Sequence, residues 1–206
     1  MTALLVFEHL PLNKVVTVSR QATYTQSSKA GLMAGEHYTV ADLLYTALMQ
    51  SANDAAITLA EAVAGSEGEF VKLMNTRAKQ LGARQTRFTN SNGLPTKETQ
   101  YTTAFDMYLI FREALKYPFF KEAMAYKNKA ITSQEGRAIT LKSYNKLLWK
   151  EWGKKIHGKT GYTRKARYCF VGYLEGEKEP LIVAVFGCRK RWSDIRYIIT
   201  RYGGMK

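Results

Sequence analysis

Between residues 39 and 81 three helical patterns follow one another with almost no chain between them, and this crowding constrains the fold more than any other feature. Thr39 stands where an N-cap belongs, with Asp42 three residues on, and apolar residues recur at helical spacing from Val40 to Met49. That pattern stops at Gln50 and Ser51. A second run starts at Asn53 or Asp54 and reaches Gly65, a glycine suited to a left-handed helix stop. Ser66 then opens a third run over residues 67–81. Helices joined this tightly pack side by side and must bury their apolar stripes against something else.

The rest of the chain supplies that something. Residues 1–10 read as the body of an amphipathic helix without its first turn. Residues 14–24 alternate like a half-exposed strand, and Gly31 and Gly35 punctuate a turn. Residues 86–101 are loop-like, and Thr102 caps a helix over 103–114 that ends before Pro118. Short extended stretches fill 129–148. Residues 155–162, 168–174 and 181–188 then read as an antiparallel meander, followed by a helix over 193–202 that stops at Gly203 and Gly204. With no repeat and no Pro- or Ser-rich linker, the expectation is one α+β domain over residues 1–206, with helices packed on an antiparallel sheet.

The formal charge of +14 calls for an anionic partner: nucleic acid, lipid headgroups or an acidic polymer such as a cell wall. The basic residues are scattered, without interleaved aromatics, apart from clusters at 150–159 and 189–196, so net charge alone speaks for nucleic acid and that partner is not expected. No apolar run approaches the roughly 20 residues of a membrane span, and no export signal is visible. His9, His37 and His157 are far apart and no His/Cys spacing suits a metal, so neither metal nor cofactor is expected. Cys169 and Cys188 fall on neighbouring predicted strands, compatible with either a cross-strand disulfide or two buried thiols.

Two short motifs carry candidate chemistry. Lys159, Thr160 and Gly161 lie on a predicted strand and offer a charge, a hydroxyl and an unobstructed backbone to an extended peptide ending in a carboxylate. The competing reading is an exposed Lys and Thr ahead of a turn glycine. Ser51 and Asn53, two residues apart at a loop-to-helix junction, place a hydroxyl and a carboxamide toward one cleft, where they suit proton relay and amide binding. Here the competing reading is that one of them merely caps the second helix. A second Ser-x-Asn, at Ser143 and Asn145, shows how cheap that pattern is.

The setting of these motifs is more specific. The stretch from Ser51 through Asn53 and Asp54 to Ser66, preceded by SSKAGLMAGEHYTVADLL and followed by FVKLMNTRAKQLGARQTRFTNSNGLP, YTTAFDM, NKLLW and HGKTGYT, resembles the D-alanyl-D-alanine carboxypeptidases in order and in detail. These are the low-molecular-mass penicillin-binding proteins of serine peptidase family S11. The resemblance implies a β-lactamase/transpeptidase-like fold lacking its N-terminal strands, and removal of the terminal D-Ala from peptidoglycan stem peptides through a serine acyl-enzyme that β-lactams also form. It implies that Ser51 relays protons and that Asn53 orients substrate and the general-base lysine. Lys159, Thr160 and Gly161 would line the substrate strand, and Tyr162 follows where some relatives carry His. It further implies a periplasmic or extracytoplasmic site for the intact protein. The family's Ser-x-x-Lys motif, source of the acylated serine, has no counterpart here except Ser143 to Lys146, which falls out of order and reads as coincidence. The expectation is therefore a chain that begins just past that motif. The alternative is a non-catalytic protein that binds peptidoglycan or another partner through the same cleft.

Overall fold

In the computed structural model, which describes residues 1–26, 28–149, 156–175 and 180–203, the first helix is α1 (Thr2–His9), with Leu4, Leu5 and Val6 buried against later helices. β1 (Val15–Thr17) pairs antiparallel with β2 (His37–Thr39). The strand expected over 14–24 is confined to β1, because Ser19 accepts the Ala22 amide and starts a short helix, α2 (Arg20–Thr23). A side chain that caps a turn has withdrawn its backbone from the ladder.

The three crowded helices form where their caps direct. Thr39 accepts the Asp42 amide to open α3 (Val40–Met49), α4 (Asn53–Ala64) ends at Gly65 with φ +77°, and Ser66 accepts the Glu69 amide to open α5 (Glu67–Gln80). The next cap is Thr103, one residue later than expected, accepting from Asp106 ahead of α6 (Ala104–Ala114). Thr102 is engaged elsewhere, its hydroxyl 2.8 Å from that of Thr86. Pro118 ends one helix by opening another, α7 (Pro118–Ala125), where its fixed φ and missing N–H are harmless at the first position.

The extended stretches over 129–148 resolve into an antiparallel hairpin, β3 (Asn128–Thr132) with β4 (Ala138–Lys142), and a 3₁₀ turn at Lys146–Leu148. The meander is β5 (Ile156–Thr163), β6 (Arg167–Leu174) and β7 (Leu181–Cys188), in that spatial order. Its alternation is legible on both faces. Val171, Tyr173, Ile182 and Ala184 join α1, α6 and α7 in one core, whereas Phe170, Leu174, Val183 and Ile156 pack on α8 (Arg191–Tyr202) through Ile195 and Ile199. The sheet is thus sandwiched between helices. Residue 155, residue 204 and most of the 150–159 cluster lie outside the described residues.

Cys169 and Cys188 are both free and half-buried. An irregularity between Tyr168 and Phe170 sets Cys188 opposite Tyr168, so the two cysteines are not register partners.

One glycine pair fixes how closely β5 and β6 approach. Gly158 faces Gly172, and the Phe170 ring lies over both: a Cβ on Gly158 would sit 2.5 Å from Phe170 Cζ and from the Val171 carbonyl oxygen, and 2.6 Å from Gly172 Cα. Because the obstacle is largely backbone, Gly158→Ala is expected to destabilise the chain by about 2 kcal/mol, read as a lower urea midpoint at unchanged m-value.

Candidate active site

Among the described residues β5 is an edge strand. Cross-strand partners share a face, and Lys159 lies opposite Val171, whose side chain belongs to the helical core. The lysine therefore points toward the junction of α3 and α4. There its Nζ donates to Ser51 Oγ at 2.7 Å and to the carbonyl of Thr160 at 2.8 Å. Two motifs 108 residues apart meet in this contact. Burial, reinforced by the nearby Arg191 charge, lowers the Lys159 pKa to about 8.

Ser51 occupies the turn between the helices with φ +58°, a left-handed backbone that costs a residue with a Cβ roughly 1–2 kcal/mol. Neither it nor Asn53 caps α4. The N-cap is Ala52, which makes no side-chain capping bond, while the buried Asn53 begins the helix and donates from Nδ2 to the Gln26 carbonyl at 3.0 Å. The helix start is organised instead by Asp54. Its fully buried carboxylate accepts from the backbone amides of Ala30, Gly31, Leu32 and Ala55 at 3.0–3.1 Å. The Asn53 amide adds a bond to the Ser28 carbonyl at 2.9 Å. The loop ahead of β2 is thereby stitched to α4, with Ser28 at the cavity.

That cavity has a volume of about 710 Å³. Ser28 and Ser51 line it at the helix junction. Thr160, Gly161 and Tyr162 of β5 form one wall, with Arg191 beside them; the segment carrying Lys142, Ser143, Tyr144, Lys146 and Trp149 forms the other. No carboxylate lines it among the described residues, so a ligand here meets only cations and neutral groups. Ser143 and Lys146 both border the cavity, but they make no hydrogen bond to each other among the described residues; Ser143 Oγ accepts the Asn145 amide instead. Nor do the described residues hold any group of three or more His, Cys, Asp or Glu able to take a metal.

Arg191 is the contributor that the motifs did not announce. Its Nη1 donates to the carbonyls of Gly161 (3.1 Å) and Cys169 (2.9 Å), and its guanidinium stacks 4.3 Å from the Trp192 ring centroid and 5.2 Å from that of Tyr168. Its Nε is buried without a partner. Burial lowers its pKa, yet a guanidinium stays charged. The cluster at 189–196 was the available signal, but nothing in it distinguished this arginine from its neighbours.

This frame has counterparts among known proteins. Residues 1–190 match the Peptidase S11 family, described as D-alanyl-D-alanine carboxypeptidase. The chain is 35% identical over 193 residues to D-alanyl-D-alanine carboxypeptidase DacF of Bacillus subtilis, covering 91% of this chain and 49% of that one. It is 34% identical over 184 residues to DacB2 of Mycobacterium tuberculosis, covering 89% and 62%. The crystal structure of the Streptomyces K15 DD-transpeptidase superposes with a TM-score of 0.87 at 27% identity, covering 97% of this chain and 83% of that one. The chain thus spans from about half to less than two thirds of the length of these curated relatives.

Proposed function

The chain belongs to the D-alanyl-D-alanine carboxypeptidase family, and from that premise we propose that its groove holds the D-Ala-D-Ala end of a peptidoglycan stem peptide for serine-type cleavage outside the cytoplasm. The observation that carries this reading is the Lys159 to Ser51 contact, which unites both motifs at one cavity free of carboxylates. An extended peptide alongside the β5 edge finds backbone partners there, and Gly161 presents no side chain to obstruct it. Its terminal carboxylate meets the Thr160 hydroxyl, the Arg191 guanidinium and the field of Lys159. Ser51, which accepts from the Lys159 ammonium, is proposed to pass a proton to the departing D-Ala amine. Tyr162 completes the proposed substrate-binding set, and Asn53, whose side chain holds the Gln26 carbonyl rather than lining the cavity, is proposed to order the turn that carries Ser51.

Acyl-enzyme formation needs a serine activated by a neighbouring base. Within the 206 residues the sole Ser-x-x-Lys, Ser143 to Lys146, lacks that contact. The 206-residue chain is therefore expected to bind an acyl-D-Ala-D-Ala peptide reversibly and to take no covalent label from a fluorescent penicillin. A chain carrying a Ser-x-x-Lys segment joined ahead of α1 is expected to be labelled. Labelling of the 206-residue form would overturn this assignment. Failure of the extended form, with reversible binding intact, would favour a binding protein without turnover.

A further inference from the structure

Ser51, Lys159, Thr160 and Arg191 suffice to hold the end of a peptide. The wall facing β5 carries further charge that this end does not use. Lys142, at the last position of β4, and Lys146, in the 3₁₀ turn, are exposed and both line the cavity. Trp149 lines the same wall: the Lys142 ammonium lies 5.1 Å from its ring centroid and that of Lys127 lies 5.9 Å from it. None of these three lysines has a carboxylate partner among the described residues. Two ammonium groups at one indole, with that of Lys146 on the same cavity wall, repel one another, and an anion among them would relieve that repulsion.

The wall is also well anchored. The Trp149 indole N–H donates to the Ser143 carbonyl at 3.3 Å, the Tyr144 amide donates to Met49 at 3.0 Å, and Asn145 Nδ2 donates to the Ile156 carbonyl at 2.7 Å. These bonds tie the segment to α3 on one side and to β5 on the other. The lysine stems thus rise from a fixed base rather than from a wandering loop.

We infer that Lys142 and Lys146, backed by Trp149, form a second anion subsite that selects stem peptides bearing a free side-chain carboxylate upstream of the terminal D-Ala-D-Ala. A peptide with an ammonium at that place is correspondingly disfavoured. This inference rests on the D-Ala-D-Ala reading of the groove and adds specificity to it.

The test uses the 206-residue chain and two peptides of equal length ending in D-Ala-D-Ala, differing only in glutamate or lysine before the terminal pair. Affinity is measured by calorimetry for the native chain, for the Lys142→Met/Lys146→Met double variant, and for the Lys142→Arg/Lys146→Arg variant. The acidic peptide is expected to bind the native chain about five- to ten-fold more tightly than the basic one, with high salt narrowing the gap. The gap is expected to close to within about two-fold in the Met variant, through weaker binding of the acidic peptide and tighter binding of the basic one, and to persist in the Arg variant. Equal affinity of both peptides for the native chain, or a gap that survives in the Met variant, overturns the subsite and leaves the D-Ala-D-Ala reading standing. Binding of neither peptide overturns both.

Discussion

Replacing Lys159 by Met is expected to raise the stability of the chain while reducing its affinity for D-Ala-D-Ala peptides by about 100-fold, the size of a lost charge-assisted contact in a desolvated site. The two effects have one cause. Burial holds the Lys159 pKa at about 8, below its ordinary 10.5, so the folded state carries an ammonium that it holds less readily than the unfolded chain does. Between about pH 8 and 10.5 the unfolded state binds more protons, so stability rises with pH across that window. The unfavourable charge is fully present below about pH 8. Met keeps the stem and discards the charge, and a gain of about 1 kcal/mol remains after the bonds to Ser51 and Thr160 are lost. Urea midpoints at neutral pH measure the first effect and calorimetry the second. Affinity of the native chain is also expected to fall as pH rises through about 8, with no such step in the variant. A variant that is less stable yet still binds would remove Lys159 from the site.

The largest loss of stability is expected at Asp54. Its carboxylate is fully buried and accepts four backbone amides, three of them from the loop at residues 30–32. Asp54→Ala strands these donors, each at a cost of about 1–3 kcal/mol where water cannot reach. A loss of about 4 kcal/mol is expected, roughly 10 °C in melting temperature for a chain of this size. Asp54→Asn preserves the volume but turns N–H toward N–H and is expected to lose nearly as much. Hydrogen exchange separates this mechanism from general loosening. The amides of residues 30–32 are expected to lose protection first, ahead of those in α5. Uniform loss of protection would contradict the anchoring role.

What could be read from the sequence was whatever local chemistry determines. Thr39, Ser66 and Gly65 set helix ends by bonds and dihedrals confined to their own turn, and the meander declared itself through alternation. Thr102 was a plausible cap displaced by its tertiary bond to Thr86, and the 14–24 strand was cut short by a serine cap. α7 escaped notice because Pro118 reads equally as a stop and as a first helical residue. The motifs singled out Ser51, Asn53 and Lys159, and the structure joins Lys159 to Ser51, but nothing in the motifs showed what surrounds these residues. That Ser51 caps nothing, that Asp54 rather than Asn53 organises the helix start, and that Arg191 reaches back to β5 are long-range facts. No window of residues contains them.

The left-handed backbone at Ser51 narrows the choice of residue there to almost nothing. Glycine, asparagine and aspartate settle readily into that conformation, but none bears a hydroxyl on its β-carbon. Glycine there would be silent toward Lys159, and asparagine or aspartate could accept its hydrogen bond but would offer no hydroxyl, so a residue kept for its hydroxyl must take the strained turn. Threonine would add a second branch to an already crowded conformation. Serine is the smallest side chain that satisfies the chemistry, and the helices on either side hold it in a posture that a free peptide would abandon.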